Sequence, residues 1–411
     1  MMRDWTRLAL ILISGLCVRN LAAQQTPTEW IEPSTGHRII QLSRLPGSSS
    51  SYFNQNEFTP DGLTLVITTP GGLAAVNLKT RSIRPIVSGR AFMIAVGRKT
   101  STVYYLKRRI VYATGVYTGA TREIARLPFP GRVASVNADE TLLAGSMVEG
   151  SAGERAGEFR RRPPRQPGQR AAGIESSLHL RWAMHLPMAL YTIDIETGHI
   201  RKIYRSHDWL NHVQFSPTDP GQIMFCHEGP WELNDRIWTL RSDGSQLKKI
   251  HTRTMMMEIF GHEFWGADGK HIWYDLQTPR GEDFWLAGYE LATGKRTWYH
   301  LERDEWSVHF NVSPDGMLFA GDGGDSQMVA HAKDGKWIYL FRPQLIHNRG
   351  LEQPGFIQPG FLHAERLVNM QKHNYRLEPN VQFTPDGKWV VFRSNMSGAT
   401  QVYEVEVASI P

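Results

Sequence analysis

Residues 310–325, FNVSPDGMLFAGDGGD, contain two hydrophobic segments separated by a Ser-Pro-Asp-Gly turn. Proline presets the first turn position, aspartate can bond back to the backbone, and glycine tolerates the left-handed backbone conformation of such turns. The second segment leads into a glycine- and aspartate-rich run at residues 321–325. Variants of this strand, turn and strand recur along the whole chain, so the pattern decides the fold.

Seven copies of the pattern are present. Their turns lie at residues 58–62, 96–100, 136–140, 215–219, 265–269, 313–316 and 383–387. The segments after these turns are rich in Val, Ile, Tyr, Trp and Phe, which is typical of β-strands. Thr-Gly turns between the copies indicate about four strands in each unit of roughly forty to fifty residues, the period of propeller blades. The sequence therefore predicts an all-β fold, a seven-bladed β-propeller, and an eight-bladed ring with one degenerate blade is the alternative.

Two intervals between the turns are much longer than the others, at about residues 149–188 and 325–379. In repeat folds, insertions map to loops on one face. We therefore interpret both intervals as long loop insertions, and residues 24–411 as a single propeller domain.

The first 23 residues have the layout of a secretory signal peptide. Arg3 and Arg7 precede or flank the start of an apolar run at residues 8–17, and small residues follow at 22–23. The run is shorter than a membrane-spanning helix requires. We expect cleavage near Ala23, export to the periplasm or the extracellular space, and no stable membrane insertion after cleavage; an uncleaved anchor is the alternative.

The composition is that of a globular protein with a basic surface. Hydrophobic residues make up 41% and charged residues 21% of 411 residues, which argues against disorder. Of two cysteines, Cys17 lies in the leader and leaves Cys226 without a partner, so no disulfide framework is expected. The formal charge of +6 and the arginine-rich residues 155–170 favour an acidic partner, although a solvated loop also explains the arginines.

Two His-Glu pairs stand near neighbouring blade turns. His227 and Glu228 belong to CHEGP, which follows an apolar strand, and Arg236 comes shortly after them. His262 and Glu263 belong to GHEFW, just before the next turn. An imidazole can abstract a proton near neutral pH, and two such pairs one blade apart predict a shared cleft. A structural hydrogen-bonding corner is the alternative for the first pair.

Further polar residues enter the last two repeats. His309, Glu378 and Asn380 occupy equivalent places upstream of blade turns, and His373 lies nearby. Imidazole, carboxylate and amide oxygen form a mixed ligand set suited to Mn²⁺ or Ca²⁺ rather than to a structural zinc ion. Polar residues that only bond to each other at strand entries are the alternative.

At these clusters the chain resembles the oligogalacturonate lyases, a seven-bladed-propeller family that degrades pectin. The resemblance is most specific at CHEGP (226–230), at HEFW (262–265), at His309 with GDGGD (321–325), and at FTPDG (383–387). It implies metal-assisted β-elimination on an acidic oligosaccharide, with Mn²⁺ as the cofactor and no nucleic-acid partner.

By position, the resemblance implies that His262 is the base, that Arg236 contacts substrate, and that His309 is a metal ligand. It places a further set in substrate binding, namely Tyr52, Gln55, His227, Glu228 and Glu263. The family has a His-x-His pair where this chain has Glu378, Pro379 and Asn380, so the implied metal site is richer in oxygen, with His373 as a further ligand. A non-catalytic periplasmic propeller scaffold and a propeller glycoside hydrolase using Glu228 and Glu263 are the alternative functions.

Overall fold

A computed structural model describes residues 28–150, 174–326 and 328–409 of the chain. The predicted signal peptide (1–23) and the arginine-rich residues 155–170 lie outside the described residues.

The described residues form 28 β-strands, numbered here in chain order. The strands up to residue 206 are β1 (Glu29–Ile31), β2 (His37–Gln41), β3 (Thr64–Thr69), β4 (Gly72–Asn77), β5 (Ile83–Ser88), β6 (Phe92–Val96), β7 (Thr102–Lys107), β8 (Ile110–Gly115), β9 (Thr121–Arg126), β10 (Gly131–Val136), β11 (Leu142–Val148), β12 (Met188–Asp194) and β13 (Ile200–Ser206).

The remaining strands are β14 (Trp209–Phe215), β15 (Gln222–Glu228), β16 (Ile237–Arg241), β17 (Lys248–Lys249), β18 (Ile259–Trp265), β19 (His271–Gln277), β20 (Phe284–Glu290), β21 (Arg296–Leu301), β22 (Phe310–Val312), β23 (Phe319–Gly321), β24 (Trp337–Leu345), β25 (Ile357–Asn369), β26 (Gln382–Phe383), β27 (Trp389–Ser394) and β28 (Gln401–Ser409). One α-helix of the described residues, α1 (Ile174–Ala183), precedes β12, and a 3₁₀ turn covers Arg303–Glu305.

These strands form seven blades. Blade 1 is β3 to β5, and blades 2, 3 and 4 are β6 to β9, β10 to β13 and β14 to β17. Blade 5 (β18 to β21) and blade 6 (β22 to β25) share one eight-stranded sheet, because β21 and β25 pair in parallel. Blade 7 combines β26, β27 and β28 with β2 and β1. The predicted seven-bladed propeller is confirmed.

The ring closes where the two ends of the described chain pair. Strand β2 lies antiparallel to β28, with Ile39 opposite Val405 and Ile40 opposite Glu404. A buried cluster that includes Leu65 of blade 1 and Val391 of blade 7 fills the seam beside this pairing. Equivalent clusters fill the other six spaces between neighbouring blades. The core is therefore a ring of inter-blade layers around a central channel.

The predicted turns connect the first and second strands of the blades. In the turn of blade 6, Ser313 donates to Asp315 over 2.5 Å, the Met317 backbone donates to the same carboxylate over 3.0 Å, and Gly316 has φ +74°. The turn of blade 7 repeats these bonds around Asp386. All these turns lie at one end of the channel, so the residues that begin each first strand lie at the other end.

The two long intervals differ from each other. The described part of the first ends in α1, where Leu178 packs on Trp231 and Ile259. The second, at 325–379, differs from the expected loop insertion, because it supplies β24 and β25, the third and fourth strands of blade 6. The 346–356 loop interrupts the two strands, so their alternation of buried and exposed residues was not recognised in the sequence. Among the described helices, none has the length and apolar character needed to cross a bilayer.

Candidate active site

Four polar residues occupy one structural position in four consecutive blades, 4 to 7. They are His212, His262, His309 and Asn380. Each lies three residues before the residue that pairs across the blade turn, namely Phe215, Trp265, Val312 and Phe383. Because the first strands line the channel side by side, these four residues form one level of the channel wall, at the end opposite the blade turns.

Irregular backbone directs three of these side chains. His212, His262 and Asn380 have φ values of +48°, +47° and +54°, which are uncommon for residues other than glycine. The pairing register shifts across Asn211/Gln214 and across Gly261/Phe264, which marks a bulge in β14 and another in β18. Bulges and strained backbone re-aim side chains next to functional sites. The backbone thus turns the imidazoles of blades 4 and 5 out of the normal strand alternation.

Two of the histidines form matching pairs with aspartates. His262 Nδ1 lies 3.1 Å from Asp275 Oδ2, and His309 Nδ1 lies 2.7 Å from Asp322 Oδ2, and the partners are thirteen positions apart in both cases. An aspartate at Nδ1 fixes a neutral imidazole in the tautomer whose Nε2 accepts a proton. Both rings are therefore held with Nε2 available for chemistry.

The two imidazoles face each other across a small space. Their ring centroids are 4.9 Å apart, edge to face. His309 is completely buried, and its Nε2 makes no hydrogen bond within the described structure. The closest carboxylate oxygen is Oε2 of Glu378, 3.9 Å away, on a side chain that is 36% exposed. His309 Nε2 and Glu378 thus lie beside the contact between the two imidazole rings.

The aspartates control the charge of both pairs. Burial is the largest influence on His262 and opposes its protonation, but Asp275 outweighs it, so the pKa of His262 is raised. Burial likewise favours the neutral form of Asp322, but the His309 imidazole and backbone N–H groups hold the pKa of Asp322 below its usual value. The site therefore retains an ionised carboxylate in the core.

Blade 4 contributes an ion pair beside the histidines. Arg236 Nη1 lies 2.7 Å from Glu228 Oε1, while the other oxygen, Glu228 Oε2, is 3.1 Å from His212 Nε2. Burial works against ionisation of Glu228, yet Arg236 and His212 hold its pKa well below the usual value. Arg236 is 1% exposed and is covered by Trp231, whose ring centroid is 4.4 Å from the guanidinium carbon. The arginine therefore lies beneath the site surface, which corrects the expectation of direct substrate contact.

Trp231 requires a glycine on the neighbouring strand. A Cβ at Gly261 would lie 2.5 Å from the Trp231 ring, so a side chain there would displace the indole. In its position Trp231 contacts the His262 ring at 5.4 Å and packs under Leu178 of α1. The helix from the first long interval is thus joined to the site through one tryptophan.

Tyr52 borders the site from the segment before blade 1. Its ring lies 5.2 Å from the His309 ring and 5.7 Å from the His212 ring. Burial, followed by the negative charges of Glu378, Glu228 and Glu263, raises the pKa of Tyr52 well above its usual value. The phenol is therefore a proton-bearing donor at neutral pH.

Glu263 is completely buried, which differs from the exposed substrate contact that was expected. Neither of its carboxylate oxygens has a hydrogen-bond partner within the described structure. Its negative charge contributes to raising the pKa of three neighbours, Arg236, Cys226 and Tyr52. Glu263 therefore acts on the site through its electrostatic field.

Two predicted substrate contacts point elsewhere. His227 lies on the opposite face of β15 from Glu228, because side chains alternate along a strand. Its Nδ1 is 3.1 Å from Asp208, and its ring stacks on Trp238 at 5.1 Å. Gln55 uses both ends of its amide to hold backbone, donating to Ile94 O at 3.2 Å and accepting from Tyr52 N at 3.3 Å. Both expectations are corrected.

The four predicted metal ligands do not come together. Asn380 Oδ1 accepts from the Phe53 N–H at 3.0 Å, and Asn380 Nδ2 donates to Glu378 O. Both nitrogens of His373 are also engaged, with Ser394 Oγ at 2.9 Å and Leu377 O at 2.6 Å. Their existing bonds remove Asn380 and His373 from the ligand set.

His309 and Glu378 remain suitable for a divalent cation. His309 Nε2 has no competing partner and Asp322 orients the ring from behind, as carboxylates do for metal-bound histidines. In the described parts of the chain, no group of three or more His, Cys, Asp or Glu side chains surrounds a common point. The pair therefore fits an ion that takes its other ligands from water or substrate, as Mg²⁺ and similar hard ions do.

Two residues of the cluster, His212 and Asp275, were missed from the sequence, and Asp322 was noted only as part of the GDGGD motif at residues 321–325. His212 could have been identified by comparing the residues that lie three positions before the paired end of each first strand. The repeated thirteen-residue spacing would have found both aspartates.

Comparison with known proteins gives the family. The family model described as oligogalacturonate lyase matches residues 184–410, more than half of the chain, which include blades 4 to 6 and strands β26 to β28 of blade 7. Oligogalacturonide lyase of Pectobacterium atrosepticum is 26% identical over 230 residues, covering 53% of this chain and 55% of that protein. Oligogalacturonate lyase of Dickeya dadantii is 26% identical over 232 residues, with the same coverage. The match spans about half the length of these curated relatives.

A solved structure of an oligogalacturonate lyase in complex with manganese has the same fold. Its TM-score to this chain is 0.74 at 21% identity, and the alignment covers 92% of this chain and 96% of that one. The matched region contains the blades that carry both histidine pairs. The chain belongs to the oligogalacturonate lyase family.

Proposed function

We propose that this protein cleaves oligogalacturonides or related uronate oligosaccharides by β-elimination. The observation that carries the proposal is the pair of matched His-Asp dyads, whose imidazoles face each other at 4.9 Å. Family membership and the names of the relatives agree with this chemistry.

The reaction needs a base for the C5 proton, which is acidic only because it lies next to the uronate carboxylate. His262 is the candidate, since Asp275 holds Nδ1 and leaves Nε2 to accept the proton. The C5–H bond breaks, a C4–C5 double bond forms, and the C4–O bond releases the leaving sugar. Tyr52 is placed at the same space and carries a proton for a substrate oxygen.

His309 and Glu378 would hold a divalent cation, as inferred from their free donor atoms. When bound, such an ion neutralises the uronate carboxylate and the negative charge that develops on it. Manganese is the first candidate because of the related manganese complex, and calcium is also compatible with a carboxylate-containing set. The buried Arg236 contributes a positive electrostatic potential to the site, and the negative charges of Glu228 and Glu263 partly offset it.

The product distinguishes this function from its alternatives. Incubation with oligogalacturonides should produce an unsaturated uronate end with ultraviolet absorbance. A saturated reducing end without that absorbance would instead indicate a glycoside hydrolase, and unchanged oligosaccharide would indicate a binding scaffold.

We also propose that the enzyme is exported. The basis is the sequence pattern of residues 1–23, with Arg3 and Arg7 near an apolar run. The test is N-terminal sequencing of the protein recovered from the periplasm or medium, where a start near Gln24 supports cleavage. Recovery only from the cytoplasm with an intact N-terminus would contradict export.

A further inference from the structure

A second cavity lies at the other end of the channel, beside the blade turns. Its volume is about 330 Å³, and its lining includes the side chains of Arg98, Asn54, Asn56, Gln214 and Gln382. Neither His262 nor His309 lines it. The cavity is thus separate from the histidine pairs, although both open on the same channel.

Phe53 separates the two spaces. Its ring lies 4.8 Å from the His309 ring on one side, and the same residue lines the cavity on the other. Asn380 Oδ1 accepts from its N–H at 3.0 Å, and Asn311 Nδ2 donates to its carbonyl at 3.3 Å. Hydrogen bonds from two blades therefore hold Phe53 across the channel as a partition.

Amide oxygens are available in the cavity wall. Gln214 Nε2 donates to Glu263 O at 2.8 Å, Gln382 Nε2 to Tyr52 O at 3.2 Å, and Asn56 Nδ2 to Val96 O at 2.8 Å. These bonds fix which way each amide points, and in the described structure the three side-chain oxygens have no hydrogen-bond partner. Such oxygens accept hydrogen bonds from hydroxyl groups.

The remaining lining supplies one cation and apolar surface. Arg98 is exposed as a residue, but desolvation of its guanidinium lowers its pKa, and within the described parts of the chain it makes no ion pair or hydrogen bond. The proline rings of three blade turns, Pro217, Pro314 and Pro385, line the same cavity. A guanidinium without a carboxylate partner suits an anionic group, preferably a carboxylate that can bind two of its N–H groups.

We infer that this cavity binds one acidic sugar ring, a hexuronate such as galacturonate, independently of the histidine pairs. The carboxylate binds Arg98, the hydroxyls donate to the amide oxygens, and the apolar face of the ring packs on the proline rings of the lining. The volume is at the small end of ligand pockets, which suits one sugar ring rather than a chain. The inference rests on the cavity and not on the proposed reaction.

The test is titration of the purified protein with galacturonate, followed by calorimetry or by ligand-observed NMR. Arg98→Gln should weaken binding about tenfold or more, the effect of losing a charge-assisted hydrogen bond. Asn54→Ala, whose amide makes no side-chain hydrogen bond in the described structure, should weaken it less. Galactose has the same ring but no carboxylate, and its weaker binding should be insensitive to Arg98→Gln.

The monomer has no glycosidic bond to cleave, so binding is measured without turnover and survives a failure of the lyase proposal. Absence of saturable binding to the parent protein would overturn the inference. So would binding that Arg98→Gln leaves unchanged and His262→Ala abolishes, since that result would place the sugar at the histidine pairs.

Discussion

Blades 5 and 6 carry the same His-Asp pair in the same register, yet the surroundings of the two pairs differ. His262 has a left-handed backbone, contacts Trp231, and has its pKa raised by Asp275 against burial. His309 has no such backbone conformation, is completely buried, and turns Nε2 toward Glu378. The same thirteen-position His-Asp spacing thus occurs with two imidazoles whose surroundings differ.

The difference lies in what surrounds each ring. The Trp231 ring lies 5.4 Å from the His262 ring, and the positive charge of Arg236 acts on it. Beside His309 Nε2 lies a carboxylate oxygen of Glu378, 3.9 Å away. This difference is the basis on which we propose proton transfer at blade 5 and cation binding at blade 6.

The largest effect is expected at blade 5. His262→Ala should lower kcat on oligogalacturonides by about 10²–10⁴-fold, the usual contribution of a general base. Folding, followed by circular dichroism, should be retained. His271→Ala in the same blade, an exposed histidine bonded to Asp268 at 2.7 Å, is the matched control and should keep full activity. Equal loss in both variants, or none in His262→Ala, would remove the assignment.

A smaller effect is expected on cation binding at blade 6. Glu378→Gln should weaken Mn²⁺ binding, measured by calorimetry, by roughly 10–100-fold because one of two protein ligands loses its charge. His373→Gln is the control, since both nitrogens of His373 are already bonded. It should lower Tm and leave Mn²⁺ affinity unchanged. The opposite ranking would return His373 to the ligand set.

A third prediction distinguishes the two His-Asp pairs by the pH dependence of kcat/KM. The base must be unprotonated, so kcat/KM should rise as pH passes through the pKa of His262, which Asp275 raises. Asp275→Asn removes that influence, and the acidic limb of the profile should move to lower pH as maximal activity falls. Asp322→Asn should leave the position of this limb unchanged. A limb that stays in place in Asp275→Asn would show that another group controls it.

The smallest effect concerns stability outside both pairs. Burial raises the pKa of Glu57 to about 7 despite the Ser51 N–H bond to its carboxylate. Its contribution to stability is fully present below the ordinary value of 4.5 and is lost as pH rises through about 7. The Tm of Glu57→Gln should therefore fall less than that of the parent between about pH 5 and pH 8. An identical fall in both proteins would exclude this carboxyl as the cause.

The sequence predicted the ring well because turn chemistry is local. In the turn at residues 58–62, Asp61 accepts from Thr59 and from the Leu63 N–H, both within two residues of it, and seven turns define seven blades. Strands β24 and β25 escaped prediction because they pair with each other across the 346–356 loop, and β25 also pairs with β21, more than fifty residues earlier in the chain.

The site was predicted only in part, because adjacency in sequence is not adjacency on a strand. His227 and Glu228 are neighbours in the chain but face opposite sides of β15. Asp275 lies past its turn, where no motif pointed to it, and Asp322 stood out only as part of the GDGGD motif, without an assigned role. The bond from Phe53 N–H to Asn380 joins residues that are distant in the chain, and the bond between His373 and Ser394 spans 21 positions, so neither has a local signal.

The pairing of β2 with β28 sets the order in which the ring can be completed. His37 and Ser409 meet although almost the whole described chain separates them. Closing so long a loop is entropically costly and slow, and the seam cannot form until the last strand has been synthesised. During synthesis β2 is thus an unpaired edge, and Ile39 and Ile40 are exposed until the chain is finished. Until translation ends, the growing chain can therefore build its first six blades but cannot close the ring.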